Sequence, residues 1–353
     1  MTWRKIRMKN NLVSDWQIED GNEKDVILSS RIRLARNLKK YKFPNRSNYE
    51  EKKELIASLK RELDFLIDSG FDFYLMSDLS EIEREVLHEE HLISQGHTES
   101  SETKALFLNN SKHLSIMVNE EDHLRLQILK AGLEFNDLWH KIDQIDNQLD
   151  EKLEYAFSDK WGYLTSCPTN VGTALRASVM CHLPALVLSG RIDNILGAVG
   201  KFGLTVRGVA GEGSSSEAEL FQISNQITLG FNEKEIIDKL DSVIQQIIAE
   251  ERKSREYLLR NNYLKLKDNV LRSLGILKYA YQLEEAEALK YLSRIKFGQD
   301  ANLIEEKLDQ DLFSKLLFKI KDAHLKHSFG MKLKQDKINI KRAEIIRNIL
   351  NEE

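Results

Sequence analysis

Two periodicities share the first two thirds of this chain, and one of them takes over the rest. From Asp25 the segment VILSSRI is β-prone, and a period of two puts Ser29, Arg31 and Arg33 on one face with Leu28 and Ile32 on the other. Residues before it, up to about Lys24, form a polar lead-in. NYEEKKELIASLKRELDFLIDSG then sets Leu55, Ile56, Leu59, Leu63 and Leu66 on one helical stripe, opened by Asn48 and closed by Gly70. Short strands follow at KALFLN and HLSIMVN, joined by the turn-like NNSK, and LRLQIL continues an antiparallel meander. After a helix from about Leu138 to Leu153 come a strand at GYLTS, a helix opened by PTNVGTALRASVM, and a loop rich in Gly and Ser within TVRGVAGEGSSSEAELFQIS. From Glu233 onward, Ile236, Ile237, Leu240, Ile244, Ile247 and Ile248 recur at helical spacing, and the chain stays helical and charged to its end without a proline.

Strands separated mostly by turns, with helices inserted between groups, predict an α+β fold: an antiparallel β-sheet flanked by helices, plus an all-helical C-terminal domain. The expected divisions are a lead-in over 1–24, a main domain over 25–255 and a helical domain over 256–353. A chain of 353 residues is long enough for two cores.

Charge narrows the partners. Lysine and arginine number 52 against 56 acids, a formal net charge of -4, which provides no global attraction to nucleic acid or to an anionic membrane. No run approaches the ~18 apolar residues of a membrane span, and the N-terminus has no apolar leader segment. Cys167 and Cys181 form neither a CxxC pair nor a metal array, so no metal ligands are expected and a reducing cytoplasm fits best.

The arginines of ILSSRIRLARN must therefore serve something local. Arg31 and Arg33 on one strand face repel one another unless an anion or an acid pair neutralises them, and guanidinium binds phosphate oxygens bidentately. Arg125, Arg176 and Arg207 also fall at or near the ends of predicted elements, whereas Arg36, Arg84 and Arg191 taken singly read as solvated surface residues. On residues alone, VNEEDH reads either as a solvated turn or as a source of a general base in Glu121, with His123 orienting a neighbour. Cys167 precedes a predicted helix N-terminus, where a thiolate is favoured, and reads either as a reactive thiol or as a plain buried cysteine; Cys181 belongs to the core. RGVAGEGSSS lacks GK[ST] and is no Walker A loop; it is either a plain flexible loop or one that closes over a ligand and delivers Glu212.

In this order, SSRIRLARN, NEEDHLRLQ, CPTNVGTALR and RGVAGEGS resemble the signature set of the phosphagen (guanidino) kinases, over about Val26 to Arg255. Metabolite enzymes of that superfamily carry a helical domain of roughly a hundred residues ahead of the first motif. Here 28 residues precede Ser29, and a long helical C-terminus follows instead. That arrangement, with HLIS, YLTSCPTNVGT, HLPALVL and FQISNQITLG, resembles the bacterial McsB-type protein arginine kinases.

The resemblance implies ATP and Mg²⁺ as cofactors and arginine side chains of proteins as acceptors. It implies a nucleotide site made of Ser29, Ser30, Arg31, Ile32, Arg33, His91, Arg125, the stretch Arg176, Ala177, Ser178, Val179 and Met180, and the stretch Arg207, Gly208, Val209, Ala210, Gly211 and Glu212. Glu121 and Glu212 match two carboxylates that grip the acceptor guanidinium, and Cys167 matches the cysteine beside it. It further implies a homodimer, an activator protein, a ClpC-type protease that consumes the marked proteins, and control of a heat-shock repressor. Kinase activity on free arginine is the second reading and a catalytically weak adaptor the third. One departure stands out: the family's RDxxRA motif, which resembles an allosteric phosphoarginine pocket, is replaced by INIKRA, Ile338 to Ala343, so the allosteric role is not carried over.

Overall fold

The computed structural model describes residues 14–208, 218–330 and 333–351. Its strands are β1 (Ile27–Arg36), β2 (Phe71–Leu75), β3 (Ala105–Asn109), β4 (Leu114–Val118), β5 (Leu124–Ala131), β6 (Phe157–Ser158), β7 (Gly162–Tyr163), β8 (Leu175–His182), β9 (Leu204–Gly208) and β10 (Leu220–Asn225). Eight of them form one sheet in the order β2-β3-β4-β5-β1-β8-β10-β9, and β6 pairs with β7 alone. Every pairing in the large sheet is antiparallel. The expected meander is β3-β4-β5, and β2 extends it at the edge.

Helices cover both faces: α1 (Tyr49–Glu62), α2 (Asp64–Asp68), α3 (Glu81–Glu89), α4 (Phe135–Asp150), α5 (Pro184–Leu188), α6 (Ile192–Lys201), α7 (Glu233–Tyr279), α8 (Glu285–Asp300), α9 (Leu312–Lys319), α10 (Asp322–Phe329) and α11 (Gln335–Asn351). The antiparallel sheet with flanking helices and a helical C-terminal region is the α+β architecture the periodicities predict. Helices α1, α3 and α7 each begin with a capping box, Asn48 with Glu51, Ser80 with Glu83 and Asn232 with Glu235. Each cap satisfies backbone donors that helical bonding leaves free, worth about 1 kcal/mol.

Alternation along the strands builds two different faces. Ile32 and Leu34 of β1, Phe107, Ile116, Leu126, Leu175, Val179 and Ile223 belong to one core, shared with Leu59 of α1, Ile142 of α4 and Ile244 of α7. On the opposite face, Leu129, Met180 and Leu220 pack against Leu277, Phe313 and Phe318 of the C-terminal helices. Helix α7 runs unbroken through residues 255 and 256, and its one non-helical residue is Asn262 (φ -133°, ψ 22°).

Several local expectations need correction. PTNVGTALRASVM does not open a helix: Pro168–Asn170 is a single 3₁₀ turn, and β8 follows. Leu175, Ala177, Val179 and Cys181 alternate into the core between β1 and β10, so strand pairing on both sides overrides helical propensity. Cys181 is a core residue as expected, but in a strand. The single helix expected from Asn48 to Gly70 is two, broken at the fully buried Leu63 (φ -103°, ψ 22°). The strand at GYLTS shrinks to Gly162–Tyr163. Leu28 does not share a face with Ile32, because an irregularity between Ile27 and Ser29 moves it to the C-terminal side.

Candidate active site

Register assembles the arginine face. Arg33 of β1 lies opposite Gln127 of β5 and Arg176 of β8; Arg31 lies opposite Leu129 and Ser178; Ala35 lies opposite Arg125. Directly paired residues point to the same side of an antiparallel sheet, so Arg31, Arg33, Arg125 and Arg176 share one surface. Arg207 of β9 joins them through Gln222 and Met180.

Arg31 and Arg33 are poorly neutralised. Among the described residues no carboxylate forms an ion pair with Arg31 or Arg33; the Arg31 Nε donates to Ser178 Oγ at 3.3 Å, and the buried Arg33 Nε has no partner. Burial, then Arg125 and Arg176, lower Arg31 to about 10. Burial, Arg31, Arg125 and Arg176 likewise push Arg33 well down. Arg176 is lowered by burial and by Arg207, and its Nε donates to the Asn225 carbonyl at 3.3 Å. A surface that disfavours its own cations would be relieved by an anion.

At the end of the sheet where β4 turns into β5, the acidic run divides into three roles. Glu120 accepts from Arg125 at 2.8 Å, from Ser94 Oγ at 2.5 Å and from the Glu121 N–H at 2.9 Å. Burial alone would raise its carboxyl, but Arg125 and these bonds hold it at about 2. Asp122 is buried and accepts from Asn37 Nδ2 at 2.6 Å and from the Ser166 N–H at 2.7 Å. Glu121 is exposed, with its carboxyl raised by partial desolvation and by Asp122 and Glu120, against the lowering effect of Arg125 and of a hydrogen bond with Cys167. The Cys167 Sγ lies 3.0 Å from Thr169 Oγ1. The structure therefore brings Glu121 and Cys167 together beside the arginine face.

His91 lies in the left-handed region (φ 61°) after α3, and its carbonyl accepts from Gln127 Nε2 at 2.6 Å. Its ring packs edge-on to Phe318, 5.6 Å between centroids. Burial first, then Lys321, Arg31 and His88, push its pKa well below the ordinary imidazole value. Of the remaining expected positions, Ser29, Ser178 and Met180 lie on the arginine face. Ser30, Ile32, Ala177 and Val179 turn their side chains to the other face; Ser30 Oγ donates to the Gly132 carbonyl at 2.7 Å. Gly208 ends β9, and Val209, Ala210, Gly211 and Glu212 lie outside the described residues.

Arg36 and Arg84 are not solvated, contrary to expectation. Arg36 shares the face of Ile32 and Leu34, pairs with Asp146 at 2.6 Å and sits 3.5 Å from the centre of the Tyr163 ring. Arg84 is buried, donating to the Thr98 carbonyl at 2.6 Å and the Met76 carbonyl at 3.3 Å. Arg191, partly exposed, pairs with Glu250 at 2.5 Å. His123 orients its neighbours structurally: Nδ1 accepts the Leu38 N–H at 3.0 Å, and Nε2 lies 2.9 Å from the Lys42 carbonyl. Sequence reasoning missed Ser94, Glu120, Asp122, Gln127 and Asn225 as supports of the site. All five lie within HLIS, NEEDHLRLQ and FQISNQITLG, motifs that carried the resemblance without giving these residues a role.

Comparison with known proteins follows the same geometry. The ATP:guanido phosphotransferase C-terminal catalytic domain family matches residues 39–254, and the protein-arginine kinase McsB C-terminal domain family matches 263–353. A protein-arginine kinase of Halothermothrix orenii is 49% identical over 97% of this chain and 98% of its own. One from Bacillus cereus is 42% identical over 98% of each chain. Among solved structures, lombricine kinase aligns with TM-score 0.59 and 25% identity, covering 69% of this chain and 70% of its own. The duplicated taurocyamine kinase of Schistosoma mansoni aligns with TM-score 0.61 and 22% identity, covering 83% of this chain and 49% of its own. With a guanidino-kinase sheet, an arginine face and near full-length relatives, the chain belongs to the protein-arginine kinases, which phosphorylate arginine at the expense of ATP.

Proposed function

We propose that the arginine face binds the triphosphate of ATP and that Glu121 and Cys167 receive the guanidinium of an arginine on another protein. The observation that carries this is the pair Arg31 and Arg33: uncompensated guanidiniums beside further cations, with an Arg33 N–H left to donate, suit a polyanion. Phosphoryl transfer depends on alignment and charge neutralisation. The acceptor nitrogen forms the N–P bond as the bond from the γ-phosphorus to the bridging oxygen breaks, and that electron pair leaves with ADP. A guanidinium with pKa above ~12 must shed a proton for this. Glu121, whose carboxyl is raised by burial and by the neighbouring Asp122 and Glu120, is the proposed base. Glu212 is the proposed second clamp on the acceptor.

Among the described residues no group of three or more His, Cys, Asp or Glu side chains could hold a metal ion. Mg²⁺ is therefore proposed to arrive as Mg-ATP, held by phosphate oxygens and water, and to neutralise charge on the transferring group. Family resemblance supports the wider setting: a cytoplasmic homodimer, answering to an activator protein, that marks proteins for a ClpC-type protease and restrains a heat-shock repressor. No described helix is long and apolar enough to cross a membrane.

Incubation with Mg-ATP and an unfolded protein, then mass spectrometry under conditions that preserve acid-labile phosphate, tests the reading. Phosphoarginine on the protein is the expected result. Phosphate on Ser, Thr or Tyr, or none, would overturn it, and transfer to free arginine alone would favour a small-guanidine kinase.

A further inference from the structure

The acceptor end of the sheet is edged with apolar side chains that folding does not cover. Thr228 Oγ1 donates to the Thr169 carbonyl at 3.1 Å and the Val171 carbonyl at 2.7 Å, placing Leu229 and Phe231 next to the turn that carries Cys167. The Tyr163 N–H donates to the Gly172 carbonyl at 2.8 Å, tying the β6–β7 hairpin to the other side of that turn. A Cβ on Gly172 would lie 2.2 Å from the Thr228 carbonyl oxygen, so the layers touch directly. Phe157 and Trp161 on the hairpin, with Ile227, Leu229 and Phe231 on the other segment, are all exposed; Trp161 and Leu229 keep 47% and 46% of their surface in solvent. Lys160 Nζ sits 4.8 Å from the Trp161 ring centre and Lys239 Nζ 5.4 Å from that of Phe231, so both rings stay on the surface.

An arginine presented by a protein enters on its methylene stem, which brings the residues on either side of it close to the surface around Glu121 and Cys167. We propose that the apolar edge docks extended polypeptide in which apolar or aromatic residues flank the target arginine. This rests on the protein-arginine reading above and adds a sequence preference to it. Exposed apolar side chains beside a reactive site are where a partner's apolar groups gain by leaving water.

Two peptides of equal length and charge test this, one with Leu and Phe around a single arginine and one with Gly and Ser. With Mg-ATP, the apolar peptide should show a KM about tenfold lower, as burial of one large apolar side chain provides. The double variant Trp161→Ser/Leu229→Ser should raise that KM about tenfold and leave the Gly/Ser peptide unchanged. Equal KM values for the two peptides with transfer intact, or a variant that shifts both alike, would overturn the docking edge and leave the kinase reading standing. Absence of phosphoarginine on both peptides would overturn both readings. A double variant that alters sedimentation but no KM would assign the edge to a second copy of the chain and overturn the proposal too.

Discussion

The Asp122 carboxylate accepts the backbone N–H of Ser166 at 2.7 Å, and with it joins the β4–β5 turn to the irregular segment that leads into Cys167. The same oxygen accepts from Asn37 Nδ2 at 2.6 Å, so three chain segments meet at one buried atom. Glu121 and Cys167, one residue to either side of this bond, are held together by it. Asp122→Ala should therefore lower kcat about 10- to 100-fold while leaving KM for ATP near normal, because misplacement of the base costs alignment and not phosphate binding. Steady-state kinetics with ATP varied at saturating peptide checks this; a change confined to KM for ATP would refute the assignment.

Arg33 makes the opposite kind of prediction. Its Nε is buried without a partner, and burial and three neighbouring arginines all disfavour its charge. Arg33→Met removes a repelling cation and keeps the stem, so the nucleotide-free protein should gain on the order of 1 kcal/mol. The stabilisation conferred by Mg-ATP should largely disappear in the same variant. Thermal melts with and without nucleotide read both effects. Loss of nucleotide-free stability would mean that Arg33 has a structural role.

How far the site could be read from sequence depended on the kind of signal. Alternation in ILSSRIRLARN placed Ser29, Arg31 and Arg33 on one face, because period two is local geometry. The same alternation put Leu28 on the wrong side, since the irregularity at Ile27–Ser29 is set by pairing with β8. Arg176 was found by motif but assigned to a helix; only its place opposite Arg33 shows why it shares the arginine face. Glu120 and Asp122 were invisible as individuals within an acid run. Their partners Ser94 and Arg125, and Asn37 and Ser166, come from other segments.

Glu121 should impose an acid limb on the rate. Burial and the carboxylates on both sides raise its pKa, so it binds a proton at pH values where an ordinary glutamate has lost one. A base works only when deprotonated, so kcat should fall as pH drops through this raised value and be level above it. The stability linkage has the opposite sign: the folded state binds the proton more tightly, so this contribution is present at low pH and is lost as pH rises through the folded pKa. Glu121→Gln should lower kcat by about 10²–10⁴ and abolish the limb while ATP affinity persists. A variant that keeps the same acid limb would place the titration elsewhere.

Arg36 and Asp146 test whether an arginine of the same motif belongs to the framework and not to the site. Arg36 is 1% exposed and donates through Nε and Nη2 to Asp146, which also accepts from Tyr155 Oη at 3.0 Å. The Asp146 carboxylate and the Tyr163 and Tyr155 rings raise Arg36 despite its burial, opposite to the shift in Arg31 and Arg33. Removing one member of a buried pair leaves an uncompensated charge, so Asp146→Ala should cost about 3–5 kcal/mol in urea denaturation. Arg36→Met with Asp146→Leu removes both charges and should recover most of that loss. Because Arg36 touches neither Glu121 nor the arginine face, the recovered double variant should keep near-normal KM for ATP. A recovered fold with lost ATP binding would return Arg36 to the site.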